Sequence, residues 1–65
     1  MIIRKTYTSD DDYVIFKLTD LWMLENNTYL TGVVLECQDP IDEPCFKVGE
    51  EIAVGMCESV EVIEV

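Results

Sequence analysis

The sequence predicts a single small all-β domain, a closed or partly closed barrel of five or six short strands. Its 65 residues are enough for one domain at most, and 49% of them are hydrophobic, which makes a core feasible. Short segments rich in β-branched and aromatic residues alternate with polar turns, as is typical of small barrels. No internal repeat or linker divides the chain, so we expect one domain spanning residues 1–65.

The first half predicts a strand, a turn and a long hairpin. Residues 2–8 and 13–18 are rich in β-branched and aromatic side chains and predict two strands, separated by the polar turn 9–12. Residues 19–25 are ambiguous, because Asp20 could cap one short helical turn near residues 20–25. We prefer a continued strand with a bend at Thr19-Asp20 and a turn at Asn26-Asn27, since Asn tolerates positive φ. That register places Leu24 opposite Tyr29, Trp22 opposite Thr31, Leu18 opposite Leu35, Phe16 opposite Cys37 and Lys17 opposite Glu36.

The second half predicts three more strands. Residues 28–37 form the clearest strand, and Gly32 inside it indicates a bulge or a tight bend. Residues 38–44 contain two prolines and predict a loop. A turn at residues 46–50 leads into a strand at 51–54. Residues 58–65 predict the last strand, because their β-branched side chains outweigh the helix-like spacing of Glu58, Glu61 and Glu64.

One stretch carries a local resemblance. Residues 46–54 read Phe-Lys-Val-Gly-Glu-Glu-Ile-Ala-Val. They resemble the F-x-V-G-D/E-x-V turn of β-barrel domains in translation factors, with Ile52 in place of the last valine, and also resemble turns in SH3-like barrels. The resemblance covers nine residues, assigns no family and transfers no functional residue. It implies a small barrel of the translation-factor or SH3-like type.

Strict alternation along the predicted hairpin divides its apolar residues between two faces. The face expected to form the core carries Phe16, Leu18, Trp22, Leu24, Tyr29, Val33 and Leu35. The opposite face is also apolar, although the outside of a barrel should be polar. We therefore expect it to be covered by a second layer or to bind a partner chain, with the candidate interface formed by Ile15, Leu21, Met23, Leu30 and Val34.

The residues needed for common catalytic chemistry are missing. The chain contains no histidine, which excludes the Ser–His and Cys–His nucleophilic arrangements. Fourteen carboxylates make chance pairs certain, and a barrel of this size rarely encloses the pocket that raises a carboxyl pKa. We expect no enzymatic activity and no cofactor. We expect no metal site either, because the cysteine spacing fits no zinc pattern and the acidic turns fit no calcium loop.

The three cysteines and the absence of targeting signals predict a cytoplasmic protein. An odd number of cysteines indicates free thiols in a reducing compartment. We expect Cys37 in the core, Cys45 as a loop thiol and Cys57 as a small buried hydrophobe, with a Cys37–Cys45 bridge as the alternative in an oxidising setting. No signal peptide or membrane-spanning stretch is present in the sequence.

Net charge is the strongest indication of function. The formal charge is −10, which exceeds what solubility alone usually requires, and residues 38–65 carry eight acidic residues against one lysine. Such a field disfavours direct binding of nucleic acid or anionic membranes and attracts basic protein surfaces. We therefore predict a protein-binding module for a basic partner. Its candidate contact residues are Asp39, Asp42, Glu43, Glu50 and Glu51, with a second patch at Asp10, Asp11 and Asp12.

Two other functions stay open. A DNA-mimic inhibitor of a nuclease or another nucleic-acid-binding protein, of phage or mobile-element origin, would use its carboxylates in place of phosphates. A structural homo-oligomer, for example a homodimer, would instead use the apolar candidate interface. Solubility of a small protein is the plain alternative explanation of its acidity.

Overall fold

A computed structural model describes residues 1–7, 12–38 and 46–65 of the chain, and every regular element within them is a strand. The strands are β1 (Ile2–Thr6), β2 (Tyr13–Leu24), β3 (Asn27–Gln38), β4 (Glu51–Gly55) and β5 (Val60–Glu64). They form one antiparallel sheet in the order β4-β3-β2-β1-β5. The prediction of an all-β domain is confirmed. The outer strands β4 and β5 do not pair in the described residues, so the sheet is open and a closed barrel is not confirmed.

Residues 19–24 continue β2 as a strand, and the alternative of a short helical turn is wrong. Strands β2 and β3 form a long hairpin, as predicted, but the turn lies at Glu25-Asn26, where both residues have positive φ (50° and 70°). Holding Glu25 there costs on the order of 1–2 kcal/mol. Two contacts of the observed register offset this cost. Trp22 lies opposite Tyr29, with ring centroids 4.6 Å apart, and the Trp22 indole N–H donates to Thr31 Oγ1 (2.8 Å).

Two irregularities interrupt the β2–β3 pairing and change which side chains face inward. The register shifts between Leu18 and Asp20, where Thr19 is the extra residue, and again near Phe16, where Leu35 is the extra residue on β3. The predicted bend at Thr19-Asp20 is confirmed. An extra residue reverses the alternation beyond it. The predicted register is wrong because the turn lies at Glu25-Asn26 instead of Asn26-Asn27 and because these two irregularities follow it. The predicted division into two faces is wrong because it assumed strict alternation.

The core lies on one face of the sheet, called here the core face. Its buried side chains are Ile3, Val14, Phe16, Leu30, Val34, Ile52 and Val54, with Leu18, Cys37, Phe46 and Val60 packed against them. Of the residues predicted for the core, Phe16 is buried and Leu18 is partly buried. The opposite face is called here the outer face. It carries Trp22 and Tyr29, which pair with each other, and Val33, which pairs with Lys17.

A glycine allows the closest approach in this core. A side chain at Gly32 would collide with the Phe16 ring and with the Lys17 carbonyl oxygen. The sequence predicts a bulge or a tight bend at Gly32; the extra residue lies across the ladder at Thr19, next to the Leu18–Gly32 pair. The turn at residues 46–50 is confirmed, since Gly49 has a φ of 91° and its N–H donates to the Val34 carbonyl (2.8 Å).

Candidate functional site

The described part of the chain contains three of the eight predicted acidic contact residues. Asp10, Asp11, Asp39, Asp42 and Glu43 lie outside the described residues. Glu50 and Glu51 are exposed, and Asp12 is half-buried. The Glu50 carboxylate accepts a hydrogen bond from the Lys47 backbone N–H (3.0 Å), so this side chain also closes the turn before β4.

Cross-strand pairing shows how charge is arranged on the outer face. One row runs from Glu61 on β5 through Arg4 and Ile15 to Glu36 on β3. A second row runs from Glu64 through Ile2, Lys17 and Val33 to Glu51 on β4; residues paired in this way share a face. Glu51, Glu61 and Glu64 therefore lie on the lateral strands β4 and β5, whereas Glu36, Arg4 and Lys17 lie on the interior strands β3, β1 and β2.

The three glutamates of these rows that lie on the lateral strands β4 and β5 are called here the rim glutamates: Glu51, Glu61 and Glu64. All three are exposed, and none of their side chains has a hydrogen bond or ion pair to another described residue. With about 4.8 Å between neighbouring strands, the ends of the second row are roughly 19 Å apart. That exceeds the screening length of about 8 Å at physiological salt, so Glu51 and Glu64 act as separate charges. Residues 1–7, 12–38 and 46–65 hold no group of three potential metal ligands.

In the first row, the side chains of Arg4 and Glu36 both contact Tyr13. The Arg4 guanidinium lies 4.6 Å from the centre of the Tyr13 ring, and its buried Nε has no hydrogen-bond partner among the described residues. The Tyr13 hydroxyl donates a hydrogen bond to the Glu36 carboxylate, and this bond is the main reason that the pKa of Tyr13 is raised above 10.0. Arg4 and Glu36 are thus less available to a partner than the rim glutamates.

The five residues of the predicted apolar interface do not form one surface. Leu30 and Val34 are 1% and 0% exposed and belong to the core, so their assignment to an interface is wrong. Ile15 is half-buried and pairs with Arg4 and Glu36 on the outer face. Leu21 is exposed on the core face, where it pairs with Leu30, and Met23 follows it on the same face of the hairpin end.

An unpredicted cluster joins the two ends of the chain. Lys5 Nζ donates hydrogen bonds to Cys57 Sγ (2.9 Å) and to Ser59 Oγ (2.8 Å), and the two acceptor atoms are themselves 2.9 Å apart. These hydrogen bonds from Lys5 and Ser59 lower the pKa of the Cys57 thiol from 9.0 to about 7. Cys57 is a free, exposed thiol, so its prediction as a buried hydrophobe is wrong.

The backbone holds this cluster in place. The Thr6 N–H donates to the Ser59 carbonyl (3.0 Å), and the Val60 N–H donates to the Cys57 carbonyl (3.1 Å). The pairing of β1 with β5 brings together residues more than 50 positions apart, and no sequence spacing indicates it. Cys37 packs against the core and is disulfide-bonded, which contradicts its prediction as a free thiol; Cys45 lies outside the described residues.

An open groove of about 250 Å³ lies on the core face beside this cluster. All but one of its lining residues are apolar, and they include Ile3, Leu21, Leu30, Met56, Val60 and Val62. Several of these side chains are half or more exposed, because the sheet is open between β5 and the end of the β2–β3 hairpin. The groove is large enough for a small apolar group and small for a drug-sized ligand.

The described ranges contain no helix that could cross a lipid bilayer. No protein-family model, curated protein or solved structure matches this chain. The comparisons therefore show no family, and function has to be argued from the surfaces described above.

Proposed function

We propose that this protein is a non-enzymatic binding module whose acidic surface recognises a basic protein surface. The observation that carries the proposal is the set of rim glutamates. They are exposed on the lateral strands of a sheet whose chain has a net charge of −10, and their carboxylates form no ion pair with a described residue. Carboxylates that are free of internal partners are available to Lys and Arg on another protein.

The arrangement also favours a protein partner over a bound ion. The carboxylates at the ends of each row are separated by three or four strand spacings, roughly 14–19 Å, which is too far for one cation to bridge. A protein surface can present several basic side chains at such distances. Electrostatic complementarity of this kind mainly accelerates encounter and selects the partner.

The proposed test compares two double variants with the same change in net charge. Glu51→Gln with Glu61→Gln removes two rim charges, whereas Glu25→Gln with Glu58→Gln removes two charges from turns. Immobilised wild type and both variants would be used to purify partners from cells that produce the protein, followed by quantitative mass spectrometry. The association rate of each captured partner would then be measured at 50 and 200 mM salt.

We expect partners with basic surfaces, and a slower association of about threefold or more for the rim variant at low salt. The turn variant should bind at nearly the wild-type rate. Equal effects of both variants would show that bulk charge is responsible, and partners without basic surfaces would refute the proposal. If a captured partner binds DNA, competition by duplex DNA would identify the DNA-mimic form of this function.

A further inference from the structure

The groove on the core face borders the Lys5–Cys57–Ser59 cluster, because Met56 and Val60 of its wall adjoin Cys57 and Ser59 in the chain. Along the β1–β5 pair, Ile3 lies opposite Val62, and the next inward-facing pair is Lys5 and Val60. Ile3, Val60 and Val62 line the groove, so its wall includes the strand partner of Lys5. Met56 also lines the groove and directly precedes Cys57. The groove wall thus includes direct neighbours of the cluster residues, which places the cluster at one end of the groove.

We propose that Cys57 is a reactive thiol that undergoes thiol–disulfide exchange with small neutral disulfides whose apolar substituent binds in the adjoining groove. The Cys57 thiolate attacks one sulfur of the disulfide, a new S–S bond forms, and the original S–S bond breaks. The leaving sulfur departs as a thiolate with the electron pair and takes a proton from water. The disulfide is the only oxidant that the step requires.

The cluster supplies what this step needs. Thiolate is the nucleophilic form of cysteine, and a neighbouring lysine favours it. Since Lys5 donates to the Ser59 oxygen, the Ser59 hydroxyl proton is free to point at the sulfur. Other titratable groups lie nearby: the centre of the Tyr7 ring is 5.6 Å from Lys5 Nζ, Asp12 raises the pKa of Tyr7, and Glu58 follows Cys57 in the chain.

Charge and shape determine which disulfides react. The net charge of −10 repels anionic disulfides, although Lys5 offsets this repulsion locally. The apolar lining of the groove favours an uncharged aromatic or aliphatic substituent. The expected substrates are therefore neutral disulfides with one apolar group of about the size of an aromatic ring.

The first test follows the pH dependence of exchange with 4,4′-dithiodipyridine, a neutral aromatic disulfide that releases a coloured product. Wild type should show a rate midpoint near pH 7, and Cys57→Ala should abolish this reaction. Lys5→Met should move the midpoint toward 8.5, the value of an ordinary cysteine. Its rate at pH 7 falls only about threefold, since a less acidic thiol gives a more nucleophilic thiolate, so the midpoint is the decisive readout.

Ser59→Ala provides a second variant should Lys5→Met fail to fold, as judged by far-UV circular dichroism. It should move the midpoint in the same direction, because it removes the hydrogen bond between the Ser59 hydroxyl and the sulfur, while the Ser59 backbone hydrogen bond remains. An unchanged midpoint in a folded variant of either position would overturn the role of the cluster. A wild-type midpoint near 8.5 would overturn the proposal as a whole.

The second test concerns the groove and uses a matched pair of leucines on the same hairpin. Leu21 is 55% exposed and lines the groove, whereas Leu24 is 56% exposed and lies outside it. Leu21→Gln should slow exchange with the aromatic disulfide about fivefold and leave exchange with bis(2-hydroxyethyl) disulfide, a neutral hydrophilic probe, unchanged. Leu24→Gln should change neither rate. If both leucine variants behave alike with both probes, the groove does not select the disulfide and the proposal is refuted.

Discussion

Replacing Gly32 by alanine should cost this protein a large part of its stability. Gly32 is buried on β3, and an added Cβ would lie inside contact distance of both the Phe16 ring and the Lys17 carbonyl oxygen. Phe16 is fully buried, so its ring has little room to move. The carbonyl belongs to the β2 backbone next to the Leu18–Gly32 pair and cannot move without disturbing the ladder.

The expected magnitude follows from these two contacts. Overpacking a well-packed core costs about 1–3 kcal/mol, and a backbone contact that no rotamer change relieves puts this site near the upper end. A 65-residue domain has a total stability of only about 3–10 kcal/mol at typical values per residue. A loss of about 3 kcal/mol would lower Tm by roughly 12–24 °C. Urea and thermal unfolding, followed by far-UV circular dichroism, would measure it.

Gly55→Ala is the matched control, since its added Cβ would meet only Tyr29 Cε1, at 3.9 Å. We expect it to be neutral or to stabilise the protein by up to about 1 kcal/mol, because alanine restricts the unfolded chain. Adding Phe16→Leu to Gly32→Ala should recover part of the loss, as the Lys17 contact persists. If Gly32→Ala and Gly55→Ala unfold within about 0.5 kcal/mol of each other, the packing argument at Gly32 is wrong.

Three further predictions concern aromatic and titratable groups. Tyr29→Ala removes the ring stacked on Trp22, the single tryptophan of the chain. Its fluorescence emission should shift to longer wavelength, and the free energy of unfolding should fall by at least about 0.5–1.5 kcal/mol. An unchanged emission maximum would contradict the stacking. Glu36→Gln should lower the pKa of Tyr13 toward 10 in an ultraviolet absorbance titration, because the hydrogen bond to the Glu36 carboxylate raises that pKa. An unchanged pKa would contradict this hydrogen bond. The lowered pKa of Cys57 stabilises the folded protein above pH 9, and this stabilisation is lost as pH falls through about 7. The free energy of unfolding of wild type relative to Cys57→Ala should therefore rise between pH 6 and 9. A difference that does not change with pH would contradict the lowered pKa.

Local patterns were sufficient to predict where the strands lie. The predicted strand at residues 51–54 corresponds to β4, and the predicted turn at 46–50 contains Gly49 with the positive φ that a turn requires. Proline, glycine and clustered polar residues end strands for reasons that act within a few positions. Strand existence therefore depends on local chemistry that the sequence displays directly.

The assignment of faces failed because it depends on single extra residues. Thr19 and Leu35 each reverse the alternation, so Leu30 and Val34 point into the core while Trp22 and Tyr29 point outward. The sequence indicated an irregularity at Thr19-Asp20, but it did not show that one residue is added there or at Leu35, because packing across the whole sheet makes that choice.

The candidate sites depend on strand order, which is a global property. The pairing of β1 with β5 creates both the outer-face row from Glu61 to Glu36 and the contact of Lys5 with Cys57. The net charge was visible in the sequence, but the separation of rim glutamates from central cations appears only when the strands are placed side by side. The reactive thiol could not be predicted, because a cysteine in a turn has no signal of its own.

The position of the rim glutamates also connects recognition to solubility. The free edges of β4 and β5 could pair with other chains, and β5 reads Val-Glu-Val-Ile-Glu, a sequence with strong strand propensity. Glutamates on these strands make edge-to-edge pairing of two copies unfavourable, which argues against a homo-oligomer formed through the sheet edges. Edge protection needs only charge on the strand, whereas recognition needs charge in a defined place. A rim variant that stays monomeric but no longer binds its partner would show that the glutamates serve recognition. If they served only edge protection, the variant would associate with itself.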